Sequence, residues 1–79
     1  MWFVYILKCS DGSLYTGITR DVAKRIRVHS SGKGSAYVRS HLPVKLVYRK
    51  KYPNRSAASK CEAEIKSWPR RDKLVLTRK

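Results

Sequence analysis

The chain has 79 residues, of which 42% are hydrophobic, and this predicts one domain with a single thin core over residues 1–79. Nineteen lysines and arginines against five acids give a net charge of +14, which indicates a polyanionic partner. Nucleic acid is favoured over a membrane because no basic amphipathic helix with an aromatic or leucine-rich face is present. Two isolated cysteines exclude a disulfide framework, and the absence of a membrane span or a signal-peptide pattern makes the cytoplasm the expected location.

The first predicted element is a β-hairpin. Val4–Leu7 and Leu14–Thr19 are short apolar runs rich in residues that favour strands. Between them, Asp11-Gly12 is a turn signal. The loop could therefore contain either two residues or three.

The loop length decides which residues face each other across the hairpin. A two-residue loop would pair Tyr5 with Ile18 and send Tyr15 to the other face of the sheet. A three-residue loop would pair Tyr5 with Gly17 and put both tyrosines on one face. Gly12 favours the longer loop, because the last residue of such loops commonly adopts the left-handed conformation. Gly17 would then leave room beside the Tyr5 ring.

A helix of about two turns is predicted next, over residues 22–29. Asp21 is a candidate N-cap and Gly32 a candidate stop. At about 100° per residue, one narrow sector of this helix holds Val22, Ile26 and His29. Arg25 lies at the border of that sector, so it is the basic residue of this helix that we expect against the sheet.

A connection rich in glycine and serine follows, from Ser30 to Leu42, with a short helical turn predicted over residues 36–40. It carries Lys33, Tyr37 and Arg39. Two interpretations stay open and are about equally supported: a basic wall that grips phosphates, and an ordinary solvated loop.

The second half of the chain predicts one strand and one long helix. Val44–Arg49 alternates apolar and basic residues, as in a strand, and Pro53-Asn54 ends it. The helix runs from about residue 55 or 56 to 66. Its expected inner face consists of Ala58, Cys61, Ile65 and Trp68.

A last short helix is predicted over residues 70–76, with Pro69 at its start. We expect Leu74 and Val75 to point inward. These elements together predict an α+β fold, in which a small three-stranded sheet is covered by helices.

Part of the hairpin resembles a known signature. Tyr5 and the triplet Tyr15-Thr16-Gly17 resemble the motif of the GIY-YIG nuclease family, and Val4 to Thr19 resembles its small single-domain bacterial members, the YhbQ-like or UPF0213 group. The first triplet departs from the motif as Phe3-Val4-Tyr5, but both tyrosines and the last glycine are kept. The resemblance implies an antiparallel sheet and the element order strand, strand, helix, strand, helix.

The same resemblance implies a catalytic role for each of five residues. Arg25 takes the place of the catalytic arginine and His29 that of its neighbour. Glu62 takes the place of a glutamate that binds one Mg²⁺ or Mn²⁺ ion. Tyr5 takes the place of the general base for water, with Tyr15 or His29 positioning it or receiving its proton.

Periodicity alone does not select Glu62. Glu62 and Glu64 lie on opposite flanks of the inner face of their helix, each roughly 60 to 90° from its centre. A structural alternative for Glu62 is an ion pair with Lys66 at i,i+4. The alternative for the two tyrosines is cross-strand packing without catalysis, and for His29 it is a helix position without a role.

The expectation is therefore a metal-dependent nuclease that cleaves DNA, with single-stranded DNA among the candidate substrates and with low sequence specificity. No membrane partner and no small-molecule cofactor are expected, and a monomer is the default.

The alternative is a nucleic-acid-binding module of the same fold with weak or no turnover. One departure favours weak activity: many family members carry an asparagine near the end of the nuclease core, and residues 67–79 contain none. The residues expected to contact nucleic acid are Lys24, Lys33, Tyr37, Arg39, Lys66 and Arg70.

Overall fold

The structure is a computed structural model that describes residues 1–33 and 36–77, and of residue 37 the main chain alone. Within these residues, three strands and four helices follow one another along the chain. In order they are β1 (Trp2–Lys8), β2 (Leu14–Thr19), α1 (Val22–Ser30), α2 (Ala36–Arg39), β3 (Lys45–Tyr52), α3 (Arg55–Ser67) and α4 (Arg70–Leu76). The strands form one antiparallel sheet in the order β2-β1-β3. The predicted fold class and element order are confirmed.

The hairpin has the register of the three-residue loop. Tyr5 lies opposite Gly17, and Leu7 lies opposite Tyr15. The backbone N–H of Cys9 donates to the carbonyl of Ser13 at 2.8 Å and closes the loop. Gly12 has a φ of 85°, the left-handed conformation that glycine adopts without steric cost. Both tyrosines therefore share one face of the sheet, as predicted.

The main core lies on the opposite face, between β1 and α3. Val4 and Ile6 are fully buried there against Ala58 and Ile65. Residues of one face alternate with those of the other along a strand, so Tyr5 points away from this core. A β-bulge after Ile6 shifts the pairing of β1 with β3.

The face that carries the tyrosines is covered by α1. The Asp21 side chain accepts a hydrogen bond from the backbone N–H of Lys24 at 3.0 Å and caps the helix as predicted. Val22 and His29 are buried on its inner side. The helix ends before Gly32, which has a φ of 81° and supplies the left-handed turn that commonly follows a helix.

Two details of the predicted inner faces are wrong. Trp68 follows the last residue of α3 in an extended conformation and is 36% exposed, because the helix ends before the periodic stripe reaches it. Val75 is 60% exposed, and Leu76 packs against the main core in its place. In the described part of the chain, no helix has both the length and the apolar character needed to cross a membrane.

Candidate active site

The Tyr5 side chain lies directly over Gly17 in the neighbouring strand. A Cβ atom built on Gly17 would lie 2.6 Å from the Tyr5 hydroxyl oxygen and 2.8 Å from Cζ. Both distances are shorter than any real contact of a Cβ atom. The absence of a side chain at Gly17 is therefore what allows the phenol to cross β2, which is an edge strand, and this confirms the predicted space beside the ring.

The hydroxyl of Tyr5 contacts α1 through the side chain of His29. The Tyr5 hydroxyl and His29 Nε2 are 3.1 Å apart and share a buried hydrogen bond. Which of them donates depends on the tautomer of the imidazole. The Tyr15 ring packs edge-on against His29, with centroids 5.5 Å apart, and lies 6.5 Å from the Tyr5 ring. Two strands and one helix thus bring these three side chains into one cluster.

Burial controls the protonation of both hydrogen-bonded groups. Burial, with smaller contributions from Tyr15 and Glu62, raises the pKa of Tyr5 to about 12, and Arg25 opposes that rise. Burial and the nearby Arg25 charge lower the pKa of His29. At neutral pH the pair is therefore a neutral phenol beside a neutral imidazole. The second ring nitrogen, Nδ1, is buried and has no hydrogen-bond partner among the described residues.

Arg25 lies beside this cluster with its side chain in solvent. It is exposed, so it is not covered by the sheet, yet its charge acts on both Tyr5 and His29. It also lines an open groove of 390 Å³. A permanently charged guanidinium in this position can reach a ligand from solvent while influencing the buried pair.

The structure distinguishes the two glutamates of α3. Glu62 acts electrostatically on Tyr5, whereas Glu64 acts on Tyr52. The two glutamates lie on opposite flanks of the helix, and it is the Glu62 charge that acts on the Tyr5 phenol. The Glu62 side chain is 23% exposed, and Lys66 Nζ lies 3.3 Å from its Oε2. This is the i,i+4 ion pair that the sequence predicts as the structural alternative for Glu62.

A sequence profile of the GIY-YIG catalytic domain matches residues 1–74. This chain belongs to the GIY-YIG family. Curated relatives include a UPF0213 protein of Staphylococcus epidermidis, 50% identical over 94% of this chain and 90% of its own length. A UPF0213 protein of Staphylococcus aureus is 51% identical over the same shares. GIY-YIG is a nuclease-type family, although the name UPF0213 specifies no activity.

Two solved structures are similar to this GIY-YIG chain. The solution structure of a UPF0213 protein of Bacillus halodurans has a TM-score of 0.62 and 47% identity, and the match covers 96% of this chain and 82% of that one. A solution structure from E. faecalis has the same TM-score with 38% identity, over 90% and 76% of the two chains. The fold is therefore shared with UPF0213 proteins.

The ligand set of this GIY-YIG site suits a hard cation that keeps most of its water. Among the described residues, no group of three or more His, Cys, Asp or Glu side chains could enclose a metal ion. Mg²⁺ needs no such cage, because it commonly binds one or two carboxylates and completes its shell with water and phosphate oxygens. Glu62, which is half-buried and acts on Tyr5, is the carboxylate that could hold it.

The residues predicted to contact nucleic acid are distributed unevenly. Lys24 lines the same groove as Arg25, and Lys66 is paired with Glu62. Arg70 donates a hydrogen bond to the carbonyl of Gly12 at 2.7 Å, so part of its guanidinium ties α4 to the hairpin loop. Lys33 and Arg39 are exposed. The side chain of Tyr37 lies outside the described residues.

Among the groove residues that sequence reasoning missed are Trp2 and Arg20. Both line it together with Arg25. No local signal marks them, because Trp2 comes from the start of β1 and Arg20 from the turn after β2. Only the folded hairpin brings them to the side of α1.

Proposed function

We propose that this GIY-YIG protein is a divalent-metal-dependent endonuclease that hydrolyses phosphodiester bonds of DNA, single-stranded DNA included, with low sequence specificity. The observation that carries the proposal is the grouping of a buried Tyr5–His29 pair with Arg25 and Glu62, whose charges both act on the phenol. Hydrolysis of a phosphodiester needs a proton acceptor for water and positive charge for the phosphate. The four residues offer both.

The Tyr5–His29 hydrogen bond supplies a route for a proton. His29 is neutral at pH 7 because its pKa is lowered, so its Nε2 can accept the Tyr5 proton across 3.1 Å. In the same step the Tyr5 oxygen takes a proton from the attacking water, so the proton ends on His29 and no free tyrosinate has to form. Alone, a phenol with a pKa of about 12 would ionise too rarely at pH 7 to be an effective base, so the role of His29 is central to this mechanism.

Arg25 and Glu62 account for the charge that develops on the phosphate. The exposed Arg25 guanidinium can donate two hydrogen bonds to non-bridging oxygens. Glu62 would hold a Mg²⁺ or Mn²⁺ ion, with Lys66 leaving the carboxylate as the cation arrives. When bound, such an ion supplies positive charge to the phosphate and to the leaving oxygen.

The basic surface supports a substrate bound mainly through its backbone. A net charge of +14 in 79 residues favours contacts to phosphates, and these carry no sequence information. Low specificity follows from this. We propose DNA rather than RNA as the substrate, and a cleavage assay on both nucleic acids tests this choice.

A binding module with weak turnover is the second candidate. It is favoured by the raised pKa of Tyr5 and by the Glu62–Lys66 ion pair, since both oppose catalysis until a cation binds. This candidate predicts the same affinity for DNA and little or no cleavage with any metal ion.

A metal-dependence assay separates the two. Labelled single- and double-stranded DNA and RNA would be incubated with Mg²⁺, Mn²⁺ or EDTA. We expect cleavage of DNA in Mg²⁺ or Mn²⁺, and we expect EDTA to abolish this cleavage. Glu62→Ala should also abolish cleavage but leave DNA binding intact. Glu64→Ala is the matched control, because Glu64 lies on the same helix, is exposed and does not act on Tyr5. Equal loss in both variants, or no cleavage in any metal ion, would refute the nuclease proposal.

A further inference from the structure

The groove beside Arg25 combines an aromatic surface with a cluster of cations. Its volume is 390 Å³, at the lower end of the range of roughly 300–1,000 Å³ that is typical of ligand sites. Its apolar lining is the half-buried indole of Trp2 with Val28 of α1, and its cations are Arg20, Lys24 and Arg25. This composition differs from the apolar grooves that bind peptides, because three positive charges surround a small apolar floor.

The one acid in the lining does not cancel this charge. Asp21 faces the groove, but its carboxylate already accepts the capping hydrogen bond from the backbone N–H of Lys24 at 3.0 Å. Three cations against this one carboxylate leave an excess of positive charge in the lining. A ligand that matches the groove carries negative charge at its edge and a flat apolar body, and a nucleotide has both.

The indole is held in place from two directions. Trp2 packs against the main core of Val4 and Ile6, and the Arg55 guanidinium lies over its ring, 5.5 Å from the centroid. A cation over an aromatic ring at this distance is an attractive contact. Trp2 is therefore a fixed platform at the groove, so little entropy of its own side chain is lost when a ligand packs against it.

We propose that this groove is a nucleotide-binding subsite that takes one unpaired base against Trp2 and Val28, with its neighbouring phosphates on Arg20 and Lys24. The inference deepens the proposed function and rests on it, because Arg25 belongs both to the groove and to the catalytic cluster. A strand whose base enters the groove brings an adjacent phosphate to Arg25. The subsite thus determines which phosphodiester is presented to Tyr5.

The groove selects single-stranded substrate. A base inside a duplex would have to leave its stack and its partner to enter, at a cost of a few kcal/mol. A base in a single strand enters without breaking a pair. Contact with an aromatic platform depends little on base identity, so the subsite is compatible with low sequence specificity.

The test uses Trp2 as its own reporter. Trp68→Phe removes the other tryptophan, which lies after α3, and leaves Trp2 as the single indole. A short oligothymidylate is titrated into this variant in EDTA, so that no cleavage is needed for a signal. We expect saturable quenching of Trp2 emission by the single strand and much weaker quenching by a duplex of equal length. Trp2→Ala should weaken binding of the single strand by about 5- to 150-fold, the measured range for loss of one base–aromatic contact.

Trp2 also packs against the core, so a second pair of variants avoids a folding artefact. Lys24→Glu and Arg27→Glu change the net charge equally, lie on the same exposed part of α1, and differ in that Arg27 does not line the groove. Lys24→Glu should weaken binding at least about tenfold more than Arg27→Glu, because it removes a charge-assisted contact to phosphate.

The outcomes separate this inference from the nuclease proposal. Binding without a change in Trp2 emission, or equal effects of Lys24→Glu and Arg27→Glu, would overturn the subsite and leave the cleavage assay as an independent test of the nuclease. Equal quenching by duplex and single strand would overturn the preference for single strands. Quenching with the expected difference between the variants, in a protein that cleaves nothing, would support the subsite in a binding module.

Discussion

The substitution Gly17→Ala tests the packing on which the site depends. The new Cβ atom would lie 2.6 Å from the Tyr5 hydroxyl oxygen, which is about 0.8 Å less than the 3.4 Å at which ordinary contacts begin. Tyr5 is 2% exposed and bonded to His29, so its ring cannot turn away without repacking. Overpacking of this kind costs typically 1–3 kcal/mol, and we expect that loss in the free energy of unfolding measured with urea.

The backbone at Gly17 adds no cost of its own. The described glycines with positive φ are Gly12 and Gly32, so alanine fits the Gly17 backbone. Without the clash, the same substitution would stabilise the protein by about 0.4–1 kcal/mol, because it restricts the unfolded chain. In a Tyr5→Leu background, Gly17→Ala should therefore be neutral or stabilising. A neutral Gly17→Ala in the presence of Tyr5 would refute the argument that the phenol occupies this space.

Three further predictions concern stability. The pKa of His29 is lowered from 6.5, so below that pH the unfolded chain binds more protons than the folded one. The free energy of unfolding should therefore fall as the pH is lowered. Urea titrations at several pH values should show a smaller dependence on pH in His29→Gln. Asn54 accepts a hydrogen bond from the first turn of α3, and Asn54→Ala should cost about 1 kcal/mol by the same method; an unchanged urea midpoint would show that the cap is not formed in solution. Arg70→Ala should lower the free energy of unfolding by up to about 1 kcal/mol, because it removes the hydrogen bond to Gly12. Arg71→Ala, an equal change of charge on the same helix, should lower it less. Equal losses of stability in the two variants would mean that the effect comes from charge and not from the hydrogen bond.

The hairpin could be predicted in detail because its signals are local. Gly12 marks the left-handed residue of the loop, the place of that residue sets the loop length, and the loop length sets the register of Tyr5 and Tyr15. The caps and ends of α1 follow from local signals as well. The alternation predicts a strand only as far as Arg49, whereas β3 continues to Tyr52, because the consecutive basic residues 49–51 interrupt the apolar–polar pattern. Such residues are common in edge strands, where charge discourages association.

The geometry of the candidate site depends on how separate elements pack. The hydrogen bond between Tyr5 and His29 joins residues 24 positions apart, and the angle between α1 and the sheet is not encoded in either segment alone. Helical periodicity does not distinguish Glu62 from Glu64, since both flank one helical stripe; the family resemblance selects Glu62, and in the structure it is the Glu62 charge that acts on Tyr5. The single ion, the nucleic-acid partner, the monomeric state and the cytoplasmic location stay predictions.

The most direct test of the central claim places an ion in the site and observes its neighbours. Mn²⁺ broadens the NMR resonances of nuclei close to it, and the titration would be followed at Tyr5 and His29 with a non-cleavable single-stranded DNA analogue bound. We predict selective broadening of these resonances in the parent protein and in Glu64→Ala, and its loss in Glu62→Ala. Broadening that persists in Glu62→Ala, or that spares Tyr5 and His29, would contradict the account.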